Sequence, residues 1–127
     1  MSKRIFTLDE ANKRLPLVKR IVEDILNKGK KLKALALFEP TPLVKEEQSI
    51  LLTDIEKNII ELETLGCYFK DWNFEIGLVD FPAIIEEREV LLCWRSDEPA
   101  IGWYHGFEEG YIGRKPIPKY MLKINLQ

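Results

Sequence analysis

The sequence predicts an α+β fold, in which an antiparallel helical hairpin packs on a three- to four-stranded antiparallel β-meander. Apolar residues recur at helical spacing between residues 8 and 65, and after Gly66 they alternate with a period of two. The chain has 127 residues, enough for one core but few for two. We therefore expect a single domain over residues 1–127, with the hairpin in residues 1–66 and the sheet in residues 67–127.

The first helix is predicted to begin after Thr7, because Thr7 and Glu10 have the spacing of a capping box. Pro16 lies inside the helix and lacks an amide hydrogen, so it is expected to kink the helix or to end a first piece near Arg14. The apolar seam has a 3,4 spacing and consists of Leu8, Ala11, Leu15, Val18, Val22, Ile25, Gly29, Leu32 and Ala36.

A second helix is predicted over residues 43–65, with Thr41 as its N-cap and Gly66 as the residue that ends it. Its apolar residues cover more than one narrow stripe, and Ile21 and Leu26 add further apolar surface on the first helix. Because one sheet face cannot cover so much surface, we expect the protein to form a homodimer through the helices.

Three strands are predicted at residues 77–83, 89–95 and 101–105, and a further one at residues 119–126. A turn at Glu86 and Glu87 pairs Asp80 with Cys93, and a loop over residues 96–100 pairs Cys93 with Trp103. In this register one face is apolar and lies on the helices, and Trp94 is buried there with its ring over Gly102. That face contains Val79, Phe81, Ala83, Val90, Leu92, Trp94, Gly102 and Tyr104.

The opposite face carries the polar side chains and is the candidate site. Asp80 and Arg95 are diagonal neighbours there, which predicts an ion pair, and Glu98 can reach back to Arg95 or His105. We expect this face to bind a small anionic ligand or a protein partner without catalysis. The candidate binding residues are Asp80, Arg95, Glu98, Trp103, His105 and Arg114.

Two other functions remain open at this point. One is a small hydrolase-like enzyme, with His105 and either Glu98 or Asp80 as acid and base. The other is a nucleic-acid-associated protein, because residues 1–37 carry ten Lys and Arg against four Asp and Glu and the C-terminal tail is also basic. The overall net charge of −2 disfavours nucleic-acid binding.

Cys93 lies in the middle of a predicted strand, which is typical of an inert buried residue. A nucleophilic triad or a transition-metal site built from Cys93, His105 and Asp80 is therefore not favoured, and no metal or other cofactor is expected. The sequence has no apolar run of about 20 residues that could cross a membrane, and it does not begin like a signal peptide. Its two distant cysteines suit a reducing compartment, so a cytoplasmic location is expected.

Four segments, "RIFTLDEANKRLPLVKRIV", "GLVDFPA", "EVLLCWRSDEPAIGWYH" and "GYIGRKP", resemble in this order the blocks of the bacterial domain of unknown function 2203 family. The chain departs from the family pattern at Asp97 and at Glu86-Glu87, where glycines are usual. The resemblance implies no catalytic role, because no activity is established for that family. It does imply that the polar motif positions are those of Asp80, Arg95, Glu98, His105 and Arg114.

Overall fold

The computed structural model describes residues 4–122. It confirms the α+β fold, with two helices followed by an antiparallel sheet of five strands within these residues, not three or four. The strands are joined in the order of the sequence, β1-β2-β3-β4-β5. The elements are α1 (Leu8–Leu35), α2 (Pro42–Thr64), β1 (Tyr68–Phe69), β2 (Leu78–Ile85), β3 (Arg88–Arg95), β4 (Trp103–His105) and β5 (Lys115–Pro116).

Helix α1 begins with the predicted capping box. The Thr7 hydroxyl accepts the amide of Glu10 at 3.0 Å, and the Glu10 carboxylate accepts the amide of Thr7 at 2.9 Å. The helix then runs through Pro16 to Leu35, so the predicted end near Arg14 is wrong. Leu15 and Val18 lie in the core on either side of Pro16, and their burial offsets the one helical hydrogen bond that proline removes.

Helix α2 begins and ends as predicted, with Thr41 as N-cap and with Gly66 in the left-handed region at φ 94°. Among its residues only Ile55, Asn58 and Leu62 are buried. Ile21 of α1 is 5% exposed, so the expectation that it contributes surplus apolar surface is wrong. Leu17 of α1 is exposed, but most of the surplus on the helices lies on α2, where the exposed apolar residues are Leu43, Ile50, Leu52 and Ile60.

The predicted register is confirmed: Asp80 pairs with Cys93, Cys93 with Trp103, and Leu91 with His105. The hairpin between β2 and β3 turns at Glu86 and Glu87, whose φ angles of 52° and 67° are those of a type I′ turn. The apolar face of the sheet joins the buried seam of α1 in one core.

Trp94 is 1% exposed, which confirms its predicted burial. Its ring does not cover Gly102, because a Cβ atom placed on Gly102 would have no neighbour within 4 Å. The indole N–H of Trp94 instead donates to the carbonyl of Glu98 at 2.9 Å. A buried indole nitrogen needs such an acceptor, and this hydrogen bond draws the ring toward the loop after β3.

The strand predicted over residues 119–126 is wrong in its described part. Lys119–Met121 forms a 3₁₀ turn, and residues 123–127 lie outside the described chain. The strand that does pair with β4 is β5, which ends at Pro116. The amide of Ile117 still donates to the carbonyl of Gly102 at 2.9 Å, but the next residue, Pro118, has no amide hydrogen and ends the pairing.

Both ends of the helical hairpin are attached to β2. Before α1, the amide of Phe6 donates to the carbonyl of Pro82 at 2.7 Å, and Phe6 forms a parallel bridge with Ala83. After α2, strand β1 pairs with β2 through Tyr68 and Asp80. The base of the hairpin is therefore held at one edge of the sheet. Neither described helix contains a segment that is both long and apolar enough to span a bilayer.

Candidate functional site

The second face of the sheet, which points away from α1, carries three chemically active side chains on three adjacent strands. Asp80 of β2 lies directly across from Cys93 of β3, and His105 of β4 lies two residue pairs along β3 from Cys93, on the same face. Asp80 is 2% exposed, Cys93 1% and His105 3%. Buried polar groups are costly unless they are paired, so the contacts of these residues decide what the face can do.

Asp80 and His105 form a hydrogen-bonded pair, with Nε2 of the imidazole 3.2 Å from Oδ1 of the carboxyl group. The other ring nitrogen, Nδ1, lies 2.7 Å from the carbonyl oxygen of Gly106. Because a carbonyl oxygen only accepts, Nδ1 must carry a hydrogen. The Nε2–Oδ1 bond then needs one more proton, on either partner, so the net charge of the Asp80–His105 pair is zero in both arrangements.

Burial sets the protonation of this cluster. It raises the pKa of the Asp80 carboxyl above its ordinary value, and the nearby charges of His105 and Lys70 oppose that shift. It also raises the pKa of the Cys93 thiol to about 11, with Asp80 adding to the effect and Arg114 opposing it. The thiol therefore stays protonated near neutral pH.

A second polar centre lies beside the first and is built around Arg114. Its guanidinium donates to both carboxylate oxygens of Glu98, at 3.2 and 2.5 Å, and the two side chains are 11% and 13% exposed. The same guanidinium stacks over the rings of Trp103 and Tyr111, at 4.7 and 4.9 Å from their centroids. It also reaches Cys93, with Nη1 4.0 Å from Sγ, so the two centres touch.

The predicted ion pair between Asp80 and Arg95 is wrong. Arg95 donates from Nε to Asp97 at 2.6 Å and from Nη1 to the hydroxyl of Tyr111 at 2.5 Å. Glu98 was predicted to reach back to Arg95 or His105. It accepts a hydrogen bond from the backbone amide of Arg95 at 2.8 Å, not from the guanidinium. The Arg95 side chain lies at the end of β3 and reaches the Asp97 carboxylate, two residues along the chain, more easily than that of Asp80. Asp80 is already hydrogen-bonded to His105.

A cavity of about 240 Å³ opens over the first centre, and we refer to it as the sheet cavity. Leu91 and Phe107 contribute to its apolar wall. Its polar wall includes Lys70, Asp80, Cys93, His105 and Tyr111. The cavity thus joins a buried, net-neutral pair to one exposed cation.

Of the six candidate residues, the structure brings Asp80 and His105 together in the cavity, and Glu98, Trp103 and Arg114 in the second centre. Arg95 lies at the margin. The cavity is also lined by Cys93, Lys70 and Tyr111, which were not among the predicted binding residues. The register itself placed Cys93 against Asp80, so that signal was present. Lys70 follows a two-residue strand that shows no periodicity, and nothing in the sequence indicated its position.

The comparisons with known proteins agree with the resemblance seen in the sequence. The family model described as an uncharacterised conserved protein, DUF2203, matches residues 4–117. The chain belongs to the DUF2203 family. That match spans both helices, all five described strands and both polar centres, so the whole candidate site lies inside the DUF2203 domain. Neither a curated protein nor a solved structure gives a significant match.

Proposed function

We propose that this DUF2203 protein is a non-enzymatic binding protein for a small anionic ligand, which enters the sheet cavity. The observation that carries the proposal is the charge of that cavity. The Asp80–His105 pair is neutral overall and the Cys93 thiol is protonated, so Lys70 leaves the lining, as formed by residues 4–122, with one positive charge. A small anion satisfies that charge, and the buried polar wall can orient it.

The contacts of the polar residues favour binding over acid–base catalysis. Both ring nitrogens of His105 have partners, Asp80 on one side and Gly106 on the other. Glu98, the alternative acid, is held by Arg114 in an ion pair that is almost completely buried. A general base has to reach its substrate's proton, and neither side chain is free to do so without breaking a hydrogen bond.

The contacts also speak against nucleic-acid binding through the tail. Arg114 would be a natural phosphate contact, but its side chain is 11% exposed and already engaged by Glu98. We include a cytoplasmic location in the proposal, since Cys67 and Cys93 are both free thiols and both buried.

A thermal-shift experiment on metal-free protein tests the proposal. The probes are phosphate, acetate and citrate at low millimolar concentration, each with EDTA present. A bound anion at about 100 times its Kd adds about 2.7 kcal/mol of stability and raises the melting temperature. The Lys70→Gln variant should lose the shift. The matched control Lys45→Gln removes an exposed lysine on α2 and should retain it.

Two results would count against anion binding in the cavity. One is that no probe shifts the wild-type protein. The other is that Lys70→Gln shifts as much as the wild type and the control, since anions also stabilise proteins by being excluded from their surface.

A further inference from the structure

The sheet cavity contains a set of donors that metal ions prefer. Asp80 offers an oxygen, Cys93 a sulfur and His105 a nitrogen, and these three atoms lie within 4.8 Å of one another. We propose that the three side chains bind a divalent transition-metal ion, with zinc as the best match to a mixed oxygen, sulfur and nitrogen site. The inference rests on the proposed function in one respect: the metal and the anion share the same cavity.

The distances suit a zinc ion after a small adjustment. Ligand bonds of about 2.0–2.3 Å in a tetrahedron put neighbouring donors about 3.3–3.8 Å apart. Asp80 Oδ1 and His105 Nε2 are already 3.2 Å apart. Any wider pair has to close by no more than about 1.5 Å, which side-chain rotation supplies while the strands stay fixed. The donors come from three paired strands, and such rigid elements hold a site more accurately than loops do.

The surroundings orient the ligands as the outer groups of metal sites do. His105 donates Nδ1–H to the carbonyl of Gly106, which fixes the ring and aims Nε2 at the other two donors. Next to the thiol, Nη1 of Arg114 lies 4.0 Å from Sγ and can donate to a thiolate. Arg114 is in turn fixed by Glu98, so its own charge is already balanced.

The charges balance when a divalent ion enters. It replaces the proton shared by Asp80 and His105 and the proton of the Cys93 thiol, so two positive charges leave and two arrive. Three protein ligands leave one position of a zinc ion open to water or an added ligand. That position faces the cavity, and Lys70 on its wall favours an anion there.

This inference departs from the expectation drawn from the sequence, which was an inert Cys93 and no metal. The expectation rested on the mid-strand position of Cys93, and the sequence contains no short ligand motif such as C-x₂-C. These three residues are far apart in the sequence, but the pairing of their strands brings residues 80, 93 and 105 close together. The competing interpretation is a structural Asp80–His105 hydrogen bond beside a buried thiol, and the test must separate the two.

Cobalt and zinc are the probes. Protein freed of metal with EDTA and then dialysed is titrated with Co²⁺, which absorbs in the near ultraviolet when a thiolate binds it, and the cobalt is then displaced with Zn²⁺. The chain offers a matched pair of variants, because its two cysteines are both buried. Cys93→Ala removes the proposed ligand. Cys67→Ala removes a thiol that donates to the Leu62 carbonyl within the apolar core.

We expect one cobalt per chain, a thiolate band that Zn²⁺ abolishes, and the same band in Cys67→Ala. Cys93→Ala should lack the band and bind zinc at least about 100-fold more weakly, since loss of an outer-shell partner alone costs about 10–100-fold. If Cys93→Ala fails to fold by circular dichroism, the band in Cys67→Ala still identifies Cys93 as the ligand. His105→Gln provides a second test of the set and should also lose the band.

Absence of a thiolate band in the wild-type protein would overturn the metal site, as would equal zinc affinity in Cys93→Ala and Cys67→Ala. The thermal-shift measurements with anions are made in EDTA, so they distinguish failure of the metal site from failure of the proposed function. A shift by anions without metal binding leaves the proposed function standing alone. Metal binding without any shift by anions, measured both in EDTA and with zinc, supports the metal site and contradicts anion binding in the cavity.

Discussion

Exposed apolar residues on α2 and buried polar residues in the sheet make the two halves of the molecule opposites. On α2, Ile50 and Ile60 are more than half exposed, whereas on the second face of the sheet Asp80 and His105 are almost completely buried. Exposed apolar groups gain free energy when another surface covers them, while buried polar groups cost a great deal unless they are satisfied. The contrast supports the two proposals for this chain, a second protein surface for the hairpin and a small ligand for the sheet.

The exposed surface of the hairpin includes an apolar groove with charged residues beside it. An apolar groove between the helices, near their connection, is lined by Leu35, Ile50 and Leu51, with Lys31 and Glu47 beside them. In a two-fold symmetric interface, every contact between two different residues occurs twice. Lys31 of each copy can therefore pair with Glu47 of the other copy. We therefore propose this groove as the interface of the predicted homodimer.

Removal of the Trp94 ring should cause the greatest loss of stability. It gives a reference value for a cavity in the apolar core, against which changes in the polar face can be compared. Trp94→Ala should lower the free energy of unfolding by about 3–5 kcal/mol, because the indole is buried and its removal leaves a cavity. Urea denaturation of the variant and the wild type measures the difference. A loss below about 1 kcal/mol would mean that the ring is not part of the core that joins the sheet to α1.

Breaking the buried ion pair tests whether the polar half is as tightly built as its contacts indicate. Glu98→Ala should cost about 3 kcal/mol, because Arg114 is left buried without its carboxylate. The double variant Glu98→Ala/Arg114→Met should recover part of that loss, since no unpaired charge remains. Glu63→Ala, on the exposed side of α2, is the control and should change little. Equal stability of Glu98→Ala and the control would show that the pair is solvated in solution.

The turn between β2 and β3 allows a change in the opposite direction. Glu86→Asn combined with Glu87→Gly should raise the free energy of unfolding by about 1 kcal/mol, because both residues have left-handed φ angles that Asn and Gly adopt at lower cost. Glu86→Gln with Glu87→Gln removes the same charges and keeps the strain. A gain in this second variant as large as in the first would assign the effect to charge.

A substitution on the hairpin half should affect stability least. Ile50→Gln should change the unfolding free energy of the monomer by no more than about 0.5 kcal/mol, because Ile50 is 55% exposed. Sedimentation should nevertheless show a wild-type dimer that the variant weakens. Ile84→Gln, similarly exposed but on β2, should leave the dimer intact. A wild-type chain that sediments as a monomer at high concentration would contradict the dimer. The exposed apolar residues of α2 would then have no proposed partner.

The parts of the fold that the sequence predicted correctly are those governed by a repeating pattern. The capping residues Thr7 and Thr41 and the pairing of Asp80 with Cys93 follow from fixed spacings, because a slip of one residue would move a whole strand's apolar side chains out of the core. The same register, derived from strand alternation and turn length alone, puts Asp80, Cys93 and His105 on one face of the sheet.

The remaining features depend on contacts that leave no periodic trace. Arg95 could have paired across the sheet, but its flexible side chain found Asp97 and Tyr111 within reach. Strand β1 has two residues and no pattern, so the position of Lys70 beside the cavity was not predictable. Pro16 was expected to kink α1 or to end a first piece near Arg14, yet the helix continues through it with buried residues on both sides.

The attachment of the hairpin to β2 has a mechanical consequence. Helix α1 spans about 42 Å, yet none of its residues after Gly29 is buried, and in α2 none before Ile55 is buried. Within one chain, the end of the hairpin near the connection therefore has less buried packing than the end that is joined to β2 at Phe6 and Tyr68. Amide hydrogens near the connection should exchange by local opening, while those around Val22 wait for global unfolding. Local opening near the connection is therefore expected to leave the cavity intact, because the residues that line it lie after the hairpin.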